Sequence, residues 1–201
     1  MKPPPPVSRD DLRRSFRARR RALTPERRRE AALAIARHLA HSGWLRPGLR
    51  VAGYLALPEA IDVAAGLALA LRRGCEVWLP RIESARGRRM SFAPAGGALR
   101  RNVFGIAEPA DQGRLDPRWL QLVLVPLVAV DSRGARLGMG GGFYDRALAF
   151  RRRRARWRGP RLVGIAHSSQ QLDHLQSLPH DIHLDALLTE QGLFPFRKDP
   201  R

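Results

Sequence analysis

Residues 122–146 read L-V-L-V-P-L-V-A-V-D-S-R-G-A-R-L-G-M-G-G-G-F-Y-D-R, and the fold follows from how this stretch is read. Its first nine residues are apolar and rich in β-branched side chains, as a buried strand requires. Four glycines then fall within five residues (Gly138, Gly140, Gly141, Gly142), and Phe143-Tyr144-Asp145-Arg146-Ala147-Leu148 reads as the start of a helix. Strand, glycine loop and helix in that order bring exposed backbone N–H groups and a helix N-terminus to one place, where an anion can sit. Glycines let backbone approach a ligand with no Cβ in the way. Arg136 adds a planar fork suited to phosphate oxygens, and Asp145 a hard oxygen of the kind Mg²⁺ prefers. The pattern predicts a nucleoside triphosphate site. It is not a P-loop, because Gly-Phe-Tyr stands where Gly-Lys-Ser/Thr belongs. Nor is it the dinucleotide fingerprint, because Phe143 takes the place of the last glycine.

On either side of this stretch, strands and helices alternate. Residues 50–55 read as a strand, 58–62 as a loop, 63–71 as a helix ending near Gly74, and 76–79 as a strand that stops at Pro80-Arg81. Strand, helix and strand at this spacing form a βαβ unit with a parallel sheet. Residues 161–166 and 186–189 supply two more buried strands, and Met90-Ser91-Phe92 a short one. Two helices precede the first strand. Ser8 caps one, with Asp10 and Asp11 in its first turn, and Thr24-Pro25 opens the other. Ligands in such sheets gather beyond the carboxyl ends of the strands, where Glu59, Arg81 and the glycine loop all fall. Trp44, Trp78 and Trp119 read as packing residues.

The chain has 201 residues, enough for one α/β domain. The expected domain spans residues 8–193, with a proline-rich tail at 1–7 and a second tail at 194–201. No apolar run approaches the ~18 residues of a membrane span. One cysteine, Cys75, cannot form an internal disulfide, and its apolar neighbours suggest a buried position. A reducing cytoplasm and a monomer are the expectations. Thirty-seven basic residues against 18 acidic give a net charge of +19. Such a balance suits nucleic acid or acidic small molecules. No aromatic-interleaved RNA-binding signature accompanies it, so Arg27-Arg28-Arg29 and residues 151–154 read as solvated helix faces.

Pro126-Leu127-Val128-Ala129-Val130-Asp131, Gly134, and Arg136-Leu137-Gly138-Met139-Gly140-Gly141-Gly142-Phe143-Tyr144-Asp145-Arg146 together resemble the signature of the 5-formyltetrahydrofolate cyclo-ligase family. The likeness runs from about residue 8 to 192. It implies an α/β/α fold of three layers around a mostly parallel, doubly wound sheet. It also implies an ATP- and Mg²⁺-dependent enzyme that closes 5-formyltetrahydrofolate, with or without a polyglutamate tail, into 5,10-methenyltetrahydrofolate. On that reading Arg9, Arg13, Arg136 and residues 137–144 (Leu137, Gly138, Met139, Gly140, Gly141, Gly142, Phe143, Tyr144) bind ATP, and Arg136 and Asp145 act in catalysis. Asp145 and Asp181 hold Mg²⁺. Glu59, Ala60 and Tyr144 meet the substrate. Arg9 stands where the family has a lysine. Ala60 stands where the family has the glutamate that contacts folate, with Glu59 one position earlier as the substitute. Phe104-Gly105-Ile106-Ala107-Glu108-Pro109 matches a segment that borders the family's substrate pocket.

Three readings compete with parts of this one. His180, His183, Asp181 and Asp185 invite a zinc site, although H-x-x-H without a further fixed ligand is a weak pattern. The charge and Ala60 favour an RNA-binding protein on a degenerate enzyme scaffold. A sugar-phosphate isomerase or acyl-transfer enzyme of similar architecture would also use a basic loop.

Overall fold

A computed structural model describes residues 7–110, 113–153 and 159–196. Two helices open the chain, α1 (Arg9–Arg21) and α2 (Pro25–His41). The main sheet then begins with β1 (Arg50–Ala52), which α3 (Ala64–Arg72) links to β2 (Glu76–Ser84). β3 (Arg89–Pro94) turns back along β2, and β4 (Leu99–Arg101) with β5 (Ala107–Pro109) forms a separate hairpin. β6 (Leu122–Pro126), β7 (Ala129–Asp131) and β8 (Arg136–Leu137) lead into α4 (Phe143–Ala147) and a 3-10 turn, Ala149–Arg153. β9 (Arg161–Ile165), β10 (Gln171–Leu172), β11 (Ala186–Thr189) and β12 (Gly192–Pro195) complete the order.

Seven strands make the main sheet in the order β12-β11-β9-β6-β1-β2-β3. The five inner strands are parallel, and β3 and β12 close the edges antiparallel. Side-chain alternation in β6 shows how the sheet divides its core. Leu122 and Leu124 face the side covered by α2 and α3, where Ile35, Leu39, Leu67 and Ala70 pack. Val123 and Val125 face the other side, against Leu148, Ile182 and Leu184. This is the α/β/α arrangement expected. The second layer is thin: α4, the 3-10 turn and extended segments do the covering, rather than a pair of full helices.

The expected single strand across residues 122–130 is two strands in two sheets. Pro126 has no N–H to continue a ladder. The chain leaves the main sheet there, and β7 joins β8 and β10 in a three-stranded sheet. Beneath it lie Phe16 of α1, Leu137 and Leu175. Two other boundaries also differ from expectation. β2 continues through Pro80 to Ser84 because it has a partner, β3, along that whole length. The chain remains structured past residue 193: Phe194 and Pro195 pair with β11, and the Phe196 backbone N–H donates to the Asp185 carbonyl. Residues 1–6 and 197–201 of the two expected tails lie outside the described residues. Cys75 is buried as anticipated, its thiol donating to the Arg46 carbonyl. Trp119, expected in the core, is exposed. Among the described residues no helix is long and apolar enough to cross a membrane.

Candidate active site around the glycine loop

Asp131 sets the approach to the loop. Its buried carboxylate accepts the backbone N–H groups of Arg133, Ala135 and Leu175, which closes the β7–β8 hairpin and ties it to the chain after β10. Leu137 then disappears into the core under α1, and the next five residues are left on the surface as the loop. Gly140 (φ +99°) and Gly142 (φ +66°) occupy backbone that side-chain-bearing residues rarely adopt. Helix α4, at five residues, is too short to carry much of a dipole. An anion at the loop would therefore meet amides and arginines rather than a helix terminus.

The arginine stripe of α1 faces inward along the site. The Arg13 Nε donates to the Gly138 carbonyl at 3.0 Å, and its guanidinium lies over Gly140. One turn earlier, Arg9 bonds Asp181 at 2.8 Å and the Gln176 carbonyl at 2.9 Å. Arg13 also pairs with Asp10. A further cation was not anticipated from sequence. Arg88, in the turn between β2 and β3, brings its Nη1 to 3.9 Å from where a Cβ on Gly142 would stand. Its own φ of +50° turns the chain in that direction. A run of three arginines nearby (Arg86, Arg88, Arg89) was the only signal, and nothing in it distinguishes Arg88 from its neighbours.

Arg136, expected on the phosphates, lies beneath the loop with its side chain 4% exposed, donating to the Ile182 carbonyl and to Asp145 at 2.9 Å. A guanidinium buried this deeply is held by the groups that satisfy it, and here those groups are protein. Arg136 positions Asp145 and the chain beside Asp181. The Asp145 Oδ1 accepts from Arg136 and from the Ile182 backbone at 3.0 Å. The Asp181 Oδ2 accepts from Arg9 and from the Leu178 N–H. Burial works to raise the Asp181 pKa, but those two hydrogen bonds and the charge of Arg9 outweigh it and hold the acid below its ordinary value.

The described residues hold no cluster of three or more groups that would bind a metal unaided, so the zinc reading has no constellation behind it. Asp185 is instead held by Arg151, which was expected on a solvated helix face, and by the Leu162 N–H. Arg154 lies outside the described residues. Two carboxylates on adjoining backbone do suit Mg²⁺, which takes one or two from protein and fills its shell with phosphate oxygens and water.

Tyr144 lies behind the loop with a buried hydroxyl that has no protein partner, and burial raises its pKa. Its neighbour Phe143 meets Phe104 edge to face, ring centroids 5.7 Å apart. Phe104 tips the β4–β5 hairpin and remains 53% exposed. Glu108, fully buried, fastens that hairpin by accepting from the Ile82 N–H, Arg100 and Asn102. The segment expected to border the substrate pocket is thus an anchored hairpin with an aromatic tip beside the loop. The two residues expected at the substrate differ. Ala60 has only a methyl group. The Glu59 carboxylate is already bound by Arg17, Arg20 and Arg21 at 2.8, 3.3 and 2.7 Å.

Comparison with known proteins places the chain among relatives of one family. The model of the 5-formyltetrahydrofolate cyclo-ligase family matches residues 6–190. The Escherichia coli K12 5-formyltetrahydrofolate cyclo-ligase is 33% identical over 184 residues, covering 87% of this chain and 96% of the relative. The Mycolicibacterium smegmatis enzyme of the same name is 31% identical over 212 residues, covering 96% and 99%. The solution structure of Aquifex aeolicus 5,10-methenyltetrahydrofolate synthetase superposes with a TM-score of 0.79 at 28% identity, over 96% of this chain and 95% of that one. This chain belongs to the 5-formyltetrahydrofolate cyclo-ligase family.

Proposed function

We propose that this protein is the ATP-dependent carbon–nitrogen ligase its family membership indicates, cyclising 5-formyltetrahydrofolate to 5,10-methenyltetrahydrofolate with release of ADP and phosphate. The observation that carries the reading is the loop itself: two left-handed glycines, each lying under a guanidinium brought from a different element, Arg13 over Gly140 and Arg88 over Gly142. An isomerase of a sugar monophosphate needs one phosphate site. Paired arginines over a surface loop suit a chain of phosphates.

The chemistry explains why no protein nucleophile is needed. A formamide carbon is a poor electrophile, and its oxygen a poor leaving group. Transfer of the γ-phosphoryl group to the formyl oxygen breaks the bond to ADP and turns that oxygen into a phosphate ester. The lone pair of N10 then attacks the formyl carbon. Loss of the N10 proton and expulsion of phosphate leave the amidinium ring of the product. Such a sequence depends on positioning and charge stabilisation. Arg13 and Arg88 balance the charge on the β- and γ-phosphoryl oxygens, and the loop amides orient them. Asp145 and Asp181 would hold Mg²⁺, which when bound shares the phosphate charge. Arg9 keeps Asp181 ionised, and Arg136 aims Asp145. Tyr144 backs the loop, and Phe104 with Phe143 would give an aromatic wall between nucleotide and folate.

Oxygen transfer tests the mechanism. With the formyl oxygen labelled as ¹⁸O, one turnover should deliver the label to inorganic phosphate. Label appearing in water or formate, with phosphate unlabelled, would exclude the phosphorylated formyl group.

A further inference from the structure

The row of arginines on α1 does not stop at the nucleotide loop. One turn beyond Arg13, Arg17 leads into an open cleft of about 430 Å³ lined by Arg17, Arg21, Arg28, Leu57, Pro58 and Glu59. That volume lies within the roughly 300–1,000 Å³ of small-molecule sites. Four guanidiniums (Arg17, Arg20, Arg21 and Arg28) stand around the single carboxylate of Glu59, leaving three positive charges in excess. Their donors are far from saturated. Arg17 and Arg21 each give one Nε–H to Glu59, and Arg28 gives Nη1 to the Pro58 carbonyl. The Nε atoms of Arg20 and Arg28 and the Nε2 of His167 are buried without a partner. Of these, Arg28 lines the cleft and keeps an unmade donor there, and so much like charge in one place is self-repelling. An anion in the cleft would relieve both.

We propose that this cleft is a second anion site, separate from the phosphate loop, that takes a small molecule bearing two or more carboxylates. The chemistry is chosen by what the arginines already hold. Glu59 shows that a carboxylate fits between Arg17 and Arg21, and its own charge keeps those two guanidiniums apart and oriented. Leu57 and Pro58 supply an apolar flank for a short carbon chain. A single oxyanion would leave most of the volume to water. A di- or tricarboxylate spans from Arg21 to Arg28.

The test uses tricarballylate, a tricarboxylate with weak affinity for Mg²⁺, titrated into the full chain by calorimetry at constant ionic strength. The expected result is saturable binding of one molecule per chain, weakened at least tenfold in Arg28→Ala and in Arg21→Glu. Arg21 is 61% exposed, so its variant should fold even if Arg28→Ala does not. Arg13→Ala should bind normally. Two results would overturn the proposal: no saturable binding, or binding lost in Arg13→Ala and kept in Arg21→Glu, which would move the anion to the phosphate loop. A kinetic arm separates two sources of the ligand. Competition of tricarballylate with 5-formyltetrahydrofolate would mean that the cleft receives the substrate's own glutamate carboxylates. Binding without competition would mean a separate acidic metabolite. Binding needs no turnover, so its failure would count against the cleft and leave the cyclo-ligase reading standing.

Discussion

Arg13 and Arg136 are both expected on the phosphates from the sequence, yet the structure sets them in opposite surroundings. Arg13 lies over Gly140, where phosphates would pass, while Arg136 is sealed under the loop between Asp145 and the Ile182 carbonyl. Their substitutions should separate accordingly. Arg136→Ala strands Asp145 and should cost about 3–5 kcal/mol of stability, read as a lowered denaturant midpoint. Arg13→Ala should leave that midpoint close to wild type and raise the KM for ATP by roughly ten- to a hundredfold, the scale of one charged contact. If Arg136→Ala were as stable as wild type and altered only the nucleotide KM, the assignment of the two residues would be reversed. The sequence does not tell which way these two arginines point. Burial of Arg136 depends on residues 145 and 182, one of them 46 positions distant, and no local pattern shows that. Ala60 was legible as a missing carboxylate. That Glu59 is held by Arg17, Arg20 and Arg21 was not, because those arginines approach from a helix some forty residues away.

At the scale of elements, helix caps and strand alternation were plain. Ser8 and Thr24 cap α1 and α2 through their side chains, and β11 runs over the residues expected. The break at Pro126 was written in the sequence as well: a proline inside an apolar run argues against one central strand, and that signal outweighs hydrophobicity. The β2–β3 hairpin was harder to read, since its length is decided by pairing across a sheet. That hairpin delivers Arg88, and Arg88→Ala should raise the KM for ATP about tenfold with little change in the KM for 5-formyltetrahydrofolate. Arg88→Lys should recover part of the loss. Equal effects on both substrates would show that the hairpin shapes the whole pocket rather than contacting the nucleotide. The β7–β8 hairpin offers a structural counterpart. Asp131→Ala removes three hydrogen bonds from backbone donors to one buried carboxylate and should destabilise the fold by at least ~3 kcal/mol in urea titration.

The whole molecule carries a net charge of +19, while Glu59, Asp145, Asp181 and Asp185 are each held by arginine. This explains why composition alone suggested nucleic acid, and it gives stability a definite dependence on acid. Burial lowers the pKa of His167 below 6.5, with Arg20 and Arg28 adding to the effect and Glu190 opposing it. The unfolded chain therefore binds that proton more readily than the folded one, and the stability from neutral His167 is complete above pH 6.5 and falls as the pH drops below it. Glu59 and Asp181, also held below their ordinary values, stay ionised further into acid and contribute a second loss below about pH 4.5. Urea midpoints should decline between pH 7 and 5.5, and His167→Gln should flatten that first decline while leaving the second. An unchanged profile in the variant would place the proton elsewhere. The central claim, that the glycine loop and its arginines serve an ATP-driven ring closure, is tested most directly by mixing the protein with Mg-ATP and 5-formyltetrahydrofolate. The near-ultraviolet absorbance of the methenyl product is then followed alongside ADP. One product should form for each ADP, with neither formed when ATP or Mg²⁺ is omitted. Methenyl product appearing without ATP, or ADP accumulating while 5-formyltetrahydrofolate stays unchanged, would contradict it.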